Sequence, residues 1–196
     1  MHYYGKVSIL GVMKFYIETE RLILRDLMPT DDEGMFELDA APAVHRYLGN
    51  RPIQSIEQAQ KVIGIIRQQY VDNGIGRWAV LEKLSGAFVG WSGLKYIREE
   101  ENGRTNFYDT GYRLIPRYWG RGYATETTKA ALEYGFRTME LPEIIGSCHE
   151  ENKASRRVLE KCGLKFVEKF WCRDELPCDW LKITREEWEM QTESKE

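Results

Sequence analysis

The sequence lacks the patterns by which several classes of protein are identified. Its four cysteines form no C-x-x-C pair and its three histidines lie far apart, which disfavours both a disulfide scaffold and a metal site. No apolar stretch is long enough to span a bilayer. Lys and Arg total 28 against 31 Asp and Glu, and this balance disfavours nucleic-acid binding. We therefore expect a cytoplasmic protein with reduced thiols, no metal, no membrane and no nucleic acid.

What is present is the composition of an ordinary globular protein. Of its 196 residues, 42% are hydrophobic and 12% aromatic, enough to build a sizeable core. No internal repeat or low-complexity linker divides the chain, so we expect one domain over residues 15–191. Residues 1–14 are set apart as an extension whose place in the native protein is open, and residues 192–196 as a C-terminal tail.

The order of predicted elements indicates the fold class. Apolar periodicity and turn signals predict a strand, two helices and three antiparallel strands, followed by a helix, a strand, a helix and two strands. Thr30, Ser55 and Thr184 each begin a capping-box pattern, which predicts a helix start. A further short helix is expected after Thr184. This order predicts an α/β protein with a mixed sheet flanked by helices.

The most informative stretch covers residues 109–126, where a strand runs into a glycine-rich turn and then into a helix. Pro116 ends the strand because it cannot donate to a ladder. Gly120 and Gly122 let the backbone approach a ligand closely, and the free amides of the first helical turn form an anion site. Arg117 and Arg121 add positive charge that suits phosphate. A pyrophosphate is therefore the expected ligand.

The turn alone leaves open which pyrophosphate compound binds. The Walker pattern is absent, which disfavours a nucleoside triphosphatase. A dinucleotide fingerprint fails at its third glycine, where Thr125 stands, and that fingerprint belongs to a parallel unit. The preceding hairpin instead favours antiparallel pairing. Two turn glycines beside solvated arginines, with no ligand, remain the structural alternative.

Three blocks of the sequence resemble the GNAT superfamily of N-acetyltransferases. Arg117-x-x-Gly120-x-Gly122 matches that family's acetyl-CoA signature, R/Q-x-x-G-x-G/A. Residues 151–164 are similar to the family's next helix, and residues 18–25 to the start of its RimJ/RimL-type branch. Residues 181–188 resemble the ending of that branch. The blocks occur in the right order over most of the chain.

The resemblance implies the GNAT fold, a splayed, mixed and mostly antiparallel sheet that holds acetyl-CoA between its fourth and fifth strands. Those strands correspond here to residues 107–115 and 144–148. Asn152 would bond the pantetheine arm, although an ordinary helix N-cap is its alternative role. The residues implied to hold the co-substrate are Leu114, Ile115, Arg117, Gly120, Arg121, Gly122, Tyr123, Ala124, Thr125 and Asn152.

The resemblance also indicates candidates for catalysis. Many members carry a tyrosine as proton donor where this chain has Leu159, whereas RimL-like members carry a serine one turn earlier, at Ser155. A capping or helix-surface hydroxyl is the alternative for Ser155. Asp109 is the candidate general base, with a solvated edge carboxylate as its alternative. Solvent or His149 are further candidates to accept the proton.

The function implied by the resemblance is an acetyl-CoA-dependent N-acetyltransferase. A primary amine would attack directly in a ternary complex, because no cysteine lies in a motif that supports a covalent intermediate. The branch favours a protein N-terminal α-amine as acceptor, with a small amine such as an antibiotic or polyamine as alternative. A non-catalytic acyl-CoA-binding sensor is the rival class, since Leu159 replaces the tyrosine. The branch also allows a homodimer, although the sequence shows no interface pattern.

Overall fold

One mixed sheet dominates the fold. The computed structural model describes residues 3–4, 16–172 and 176–193, and nine strands of these residues form the sheet. The strands are β1 (Tyr3–Tyr4), β2 (Tyr16–Glu18), β3 (Leu22–Arg25), β4 (Trp78–Glu82), β5 (Phe88–Ile97), β6 (Phe107–Leu114), β7 (Glu143–His149), β8 (Lys165–Cys172) and β9 (Leu176–Thr184). Their order across the sheet is β1-β2-β3-β4-β5-β6-β7-β9-β8. Neighbouring strands are antiparallel except for β6 and β7, which confirms the predicted mixed, mostly antiparallel sheet.

Helices cover this sheet. The described residues form α1 (Asp32–Ala40), α2 (Pro42–His45), α3 (Ile56–Asn73), α4 (Tyr123–Glu133), α5 (Lys153–Lys161) and α6 (Arg185–Glu193). Helices α1 and α3 contact each other and β5, whereas α4 lies against β5 and β6. Helix α3 buries Ala59, Ile63 and Ile66, as its apolar spacing predicts. None of the helices in the described part of the chain combines the length and the apolar character that crossing a membrane requires.

The helix starts agree with the sequence to different degrees. Thr184 and Glu187 form the predicted capping box. The Thr184 N–H donates to the Glu187 carboxylate at 3.0 Å, and the Glu187 N–H donates to the Thr184 hydroxyl at 3.3 Å. Ser55 is the N-cap residue of α3, but its side chain makes no capping bond. Thr30 is not a cap, because a short 3₁₀ turn occupies Pro29–Asp31 and α1 begins only afterwards. The predicted helix therefore exists with a different start.

The chain termini bear on the expected domain limits. Of the extension at residues 1–14, only Tyr3–Tyr4 are described, and they pair with β2. Helix α6 reaches Glu193, so the first residues of the expected tail at 192–196 are helical, while residues 194–196 lie outside the described part. The limits at residues 15 and 191 stay a prediction.

The cysteines differ from the expectation of four reduced thiols. Cys172 and Cys178 form a disulfide with their Cα atoms 5.9 Å apart, whereas Cys148 and Cys162 are free and buried. The two bonded residues lie on neighbouring strands, β8 and β9. The predicted strands, residues 165–171 and 180–183, stop short of both cysteines, so the sequence does not indicate that they face each other. The expectation was wrong for this pair.

Thiol titration checks this disulfide. Under denaturing conditions without reductant, we expect two titratable thiols per chain, from Cys148 and Cys162, because the other two sulfurs are bonded to each other. Full reduction should raise the count to all four cysteines. Four reactive thiols before reduction would show that the bond is absent in the purified protein.

A gap in the sheet sets the position of the functional site. The parallel pairing of β6 with β7 covers only Asp109 with Ile145 and Thr110 with Gly146. Strand β7 stays paired with β9 along its whole length, and β6 stays paired with β5 from Phe107 to Leu114. The second half of β6 therefore diverges from β7. This divergence is the splay that the sequence analysis expected.

Candidate functional site

Backbone groups of β6 face the gap. In an antiparallel pair, the N–H and C=O of alternate residues point toward the partner strand, and those of the residues between point away. Ile115 N–H donates to Val89 O of the β5 segment at 2.9 Å. The backbone groups of the preceding residue, Leu114, therefore point away from β5. Among the described residues of β6, only Asp109 and Thr110 pair with β7. The backbone groups of Leu114 therefore face the gap, as its expected role in holding the co-substrate requires.

Leu114 and Ile115 consequently differ in what they offer a ligand. The N–H of Ile115 is used by Val89, and its carbonyl accepts from Tyr118 N–H at 3.0 Å. The amide of Ile115 is thus already bonded within the protein, and the expected role of its backbone toward pantetheine stays a prediction. The carbonyl of Leu114 accepts a hydrogen bond of 2.7 Å from the indole Nε1 of Trp119, a half-exposed side chain at the mouth of the gap.

The glycine-rich turn has the conformation of an anion site. Gly120 and Gly122 have φ angles of +74° and +81°, in the left-handed region that favours glycine. Gly122 is the N-cap residue of α4, and its carbonyl accepts the first helical bond from Glu126 N–H at 3.0 Å. The amides of Tyr123, Ala124 and Thr125 therefore have no partner in the preceding turn of the helix. These amides and the helix dipole favour an anion at this point.

The two arginines of the signature are less free than the sequence suggests. Arg117 forms an ion pair with Glu37 of α1. Arg121 lies 3.6 Å from the carboxylate of Glu82, and its guanidinium packs over the ring of Tyr118. Both arginine side chains are about half exposed. Their charge is available at the surface beside the turn, although carboxylates partly balance it.

Helix α5 brings Asn152 and Ser155 to the gap. Asn152 is the N-cap residue, and its Oδ1 accepts from Ser155 N–H at 3.1 Å, so its structural role exists. The side-chain amide hydrogens of Asn152 are not used by that bond, and a ligand role remains compatible with the cap. The structure thus places Asn152 at the N-cap and Ser155 in the first turn of the helix that follows β7.

Tyr112 is a functional candidate that the sequence analysis missed. Its hydroxyl donates to Ser155 Oγ at 3.0 Å and lies 3.3 Å from the Ser155 carbonyl oxygen. Burial raises the pKa of Tyr112 well above its usual value, so the phenol stays protonated. Strand alternation places Tyr112 on the opposite face of β6 from Asp109, but its contact with α5 is a tertiary feature.

Leu159 is part of the core. It is 1% exposed, and a Cβ added at Gly146 of β7 would lie 3.0 Å from its Cδ2 atom. The side chain therefore packs on β7, and no polar group at this position faces the gap. This packing accounts for an apolar residue where many relatives of the resembled family carry tyrosine.

The candidate bases are both engaged. Asp109 forms an ion pair with Arg77, whose guanidinium also donates to the Asp109 carbonyl at 2.7 Å. His149 accepts a hydrogen bond from Glu151 N–H at its Nδ1, at 3.1 Å, which puts the proton of a neutral ring on Nε2. Its ring also packs against Tyr47, with centroids 5.3 Å apart. Neither group is a free acceptor in this arrangement.

Three ion pairs lie on the side of β6 that faces α1. Alternation places Asp109 and Arg113 on this side, and Arg113 reaches the carboxylate of Asp39 in α1 at 2.6 Å. Trp91 of β5 packs against two of the guanidinium groups, with distances of 5.2 and 5.6 Å to its ring. These α1-side ion pairs are Glu37–Arg117, Asp39–Arg113 and Asp109–Arg77.

The described residues contain no cluster of three or more His, Cys, Asp or Glu side chains that could hold a metal ion. The chain itself offers hydrogen-bond donors and acceptors at the gap. Those available are the Leu114 amide, the α4 N-terminal amides, and the hydroxyls of Ser155 and Tyr112.

Comparisons with known proteins agree with this geometry. The family model described as an acetyltransferase (GNAT) domain matches residues 21–165. The FsC-acetyl coenzyme A-N(2)-transacetylase of Aspergillus fumigatus is 33% identical over 183 residues, which cover 88% of this chain and 77% of that protein. The match to the family model covers residues 21–25 of the N-terminal block and the whole of the glycine-rich turn.

Solved structures share the fold. A GNAT-family acetyltransferase from Bacillus anthracis is 26% identical, with a TM-score of 0.72 over 87% of this chain and 99% of that one. The spermidine N-acetyltransferase from Vibrio cholerae, solved with CoA and spermine, has a TM-score of 0.69 over 87% of this chain and 99% of its own. Its identity is 19%, so that likeness concerns the fold alone.

Proposed function

The chain belongs to the GNAT acetyltransferase family, and from that premise we propose that it transfers the acetyl group of acetyl-CoA directly to a primary amine in a ternary complex. The proposal rests on one observation: the gap beside β6 and the anion site at the glycine-rich turn are continuous. The gap beside β6 ends at the glycine-rich turn, where the first amides of α4 form an anion site. A long molecule with a pyrophosphate in its middle fits such a path.

The residues available along this path fit the parts of acetyl-CoA. The amides from Gly120 to Thr125 would bind the pyrophosphate, with Arg117 and Arg121 at its side. The backbone of Leu114 and the side-chain amide of Asn152 would bind the pantetheine arm. When bound, acetyl-CoA supplies an activated acetyl group as a thioester.

Ser155 is proposed as the donor to the departing sulfur. Tyr112 donates to Ser155 Oγ, which leaves the single hydroxyl hydrogen of Ser155 free to point elsewhere, toward the gap. A free thiol has a pKa near 8.5, so the sulfur leaves the thioester as a thiolate that still attracts a proton. A hydrogen bond from a donor therefore assists its departure. The N–H of Leu114 is proposed to stabilise negative charge on the acetyl oxygen.

The amine proton has three candidate acceptors: Asp109, His149 and solvent. The general-base role of Asp109 stays a prediction, and it requires the carboxylate to act while paired with Arg77. His149 would need its other tautomer, because Nδ1 accepts from Glu151 N–H. Solvent at the exposed mouth of the gap needs neither change, and we propose it as the acceptor of the amine proton.

Direct transfer is supported by the state of the cysteines. Burial, together with the nearby Asp179 carboxylate, raises the pKa of Cys148 to about 11, which keeps it as a thiol at neutral pH. Cys162 is buried, and Cys172 and Cys178 are bonded to each other. A covalent acyl-cysteine is therefore disfavoured.

We propose that the acceptor presents one amino group to the site, and that this group is the N-terminal α-amine of a protein. The carboxylate of each α1-side ion pair is matched by an arginine, so this side of β6 offers no excess of negative charge. A polyamine or an aminoglycoside carries several positive charges and would need such an excess. The cytoplasmic location and the homodimer that the resemblance allows stay predictions.

Titration calorimetry followed by an acceptor screen tests this function. We expect acetyl-CoA to bind with a Kd on the order of micromolar, and NAD not to bind, because the turn fails the dinucleotide fingerprint. Release of CoA should then accelerate with peptides that carry a free α-amine, and not with the same peptides blocked at the N-terminus. Spermidine and an aminoglycoside are the comparison acceptors.

Each outcome of the screen has a defined meaning. Faster turnover with spermidine or the aminoglycoside would overturn the acceptor proposal and leave the acetyltransferase activity standing. Binding of acetyl-CoA without turnover on any amine would favour the sensor module. No binding of acetyl-CoA at all would remove the proposed use of the gap.

A further inference from the structure

The segment from Thr19 to Arg21 lies directly behind the glycine-rich turn. It belongs to the N-terminal block at residues 18–25, which resembles the start of the RimJ/RimL-type branch but has so far been given no function. Residue 21 and the first turn of α4 are more than a hundred positions apart in the chain, yet their side chains meet. The contact is between Arg21 and Glu126.

Two residues of this segment, Thr19 and Arg21, bind the carboxylate of Glu126. Its Oε1 accepts from Thr19 Oγ1 at 2.5 Å and from Arg21 N–H at 2.9 Å. Its Oε2 accepts from Arg21 Nε at 2.7 Å and lies 2.6 Å from Arg21 Nη2. Lys83 extends the cluster by donating to the Thr19 carbonyl at 2.6 Å. The Glu126 side chain is only 15% exposed.

Arg21 also contacts the turn itself. Its Nη1 donates to the carbonyl oxygen of Arg121 at 2.9 Å, and its guanidinium packs over the ring of Tyr123, 4.7 Å from the centroid. All three guanidinium nitrogens thus have acceptors within the protein. These contacts connect Arg21 to the backbone of the turn, the part of the chain that would touch a bound anion.

The bond to the Arg121 carbonyl determines which way the next amide points. In a trans peptide, the C=O of one residue and the N–H of the next point in opposite directions. Because the Arg121 carbonyl points to Arg21, the N–H of Gly122 points away from it, on the side opposite to β3. Gly122 has a φ of +81°. Because glycine has no Cβ and adopts many backbone conformations, the Arg121–Gly122 peptide could readily rotate. Arg21 restrains that rotation.

The ion pair also bears on the charge of the site. Partial burial acts to raise the pKa of Glu126, but hydrogen bonds from Thr19 and Arg21 outweigh it and hold this pKa below its usual value. Glu126 is therefore ionised at neutral pH in the first turn of α4. An unpaired carboxylate there would repel an anion bound at the turn.

We propose that Arg21 is a positioning residue of the anion site: clamped by Glu126, it holds the Arg121–Gly122 peptide so that the Gly122 amide faces the pyrophosphate of acetyl-CoA. The inference rests on the proposed function only in taking acetyl-CoA as the ligand. It gives the N-terminal block a role in binding the co-substrate.

The test compares two donors that differ in the pyrophosphate. S-acetyl-pantetheine has the thioester and the pantetheine arm but lacks the pyrophosphate and nucleotide. Arg21→Gln should raise the Kd for CoA and the KM for acetyl-CoA by about tenfold to a hundredfold, the range expected when charge-assisted hydrogen bonds are lost. The loss in kcat/KM should be much smaller with S-acetyl-pantetheine, and kcat at saturating acetyl-CoA should change little. Arg21→Lys, which keeps the charge but cannot span both acceptors, should recover only part of the affinity.

Arg25→Gln is the matched control. Arg25 is the last residue of β3, the strand that follows Arg21, and it pairs with the carboxylate of Asp31, away from the turn. Its replacement removes a comparable ion pair and should lower the melting temperature without changing the Kd for CoA. Equal loss of affinity in the two variants would mean that Arg21 acts only through general stability, and would overturn the inference.

The double variant Arg21→Gln/Glu126→Gln separates positioning from charge. If Arg21 positions the peptide, affinity should stay low after the carboxylate is removed as well. Full recovery of affinity would show that Arg21 merely neutralises Glu126, and positioning would be wrong. A wild-type protein that binds no CoA would instead refute the proposed function, which is a distinguishable result.

Discussion

Replacing Gly120 by Asp should weaken coenzyme A binding by about a hundredfold, because a like charge placed at an anion site costs several kcal/mol. Gly120 has a φ of +74°, and a Cβ built there meets no atom within 4 Å. The new side chain would therefore project into open space beside the turn. The measurement is the Kd for CoA by titration calorimetry.

Gly120→Asn is the control that separates charge from backbone strain. Asn and Asp have nearly the same size and both tolerate a positive φ better than other non-glycine residues. We expect Gly120→Asn to weaken binding by less than about tenfold, since it brings only the strain and the steric cost. Similar Kd values for the two variants would contradict an anion site at the turn.

Ser155→Ala should lower kcat by at least about a hundredfold while the KM for acetyl-CoA stays within a few-fold, as expected when a positioned proton donor is removed. The backbone N–H of residue 155 still donates to Asn152 Oδ1 in this variant, so the cap of α5 and the melting temperature should be preserved. The check is steady-state kinetics with saturating amine. An unchanged kcat would reduce Ser155 to a structural hydroxyl.

Tyr112→Phe tests the orientation of that hydroxyl. We expect a smaller loss in kcat, about tenfold, because the donor remains but its hydrogen is no longer directed. Since burial raises the pKa of Tyr112, no ionisation of this phenol should enter the pH–rate profile below pH ~10, and the profile should keep its shape. The double variant Tyr112→Phe/Ser155→Ala should be no slower than Ser155→Ala. Additive losses would assign Tyr112 a role independent of Ser155.

The predicted elements succeed where local patterns control the structure. Residues 107–115 were expected as a strand and 153–162 as a helix, and β6 and α5 match them to within one residue at each end. The positive φ angles at Gly120 and Gly122 likewise follow from the residue type and the strand–turn–helix order. Side-chain periodicity and turn chemistry are properties of neighbouring residues, so a single sequence expresses them.

The sequence predicts the candidate site less completely than the elements, because the interaction partners of the site residues come from distant segments. Asp109 looks like a free strand carboxylate in the sequence, but Arg77, the residue before β4, pairs with it. Arg117 looks like a phosphate ligand, but Glu37 of α1 pairs with it. Ile115 is adjacent to Leu114, yet only the pairing with β5 decides which of the two has its amide in the ladder.

The sequence by itself determined the acetyl-CoA signature, the resemblance to the acetyltransferase family, and the order of strands and helices apart from β1, β2 and α2. Only the tertiary structure decided that Tyr112 contacts Ser155, that Arg21 contacts both Glu126 and the turn, and that two cysteines are bonded. The physical reason is range. Backbone conformation depends on residues a few positions apart, whereas the partner of a charged or polar side chain depends on which segments the packed sheet and helices bring together.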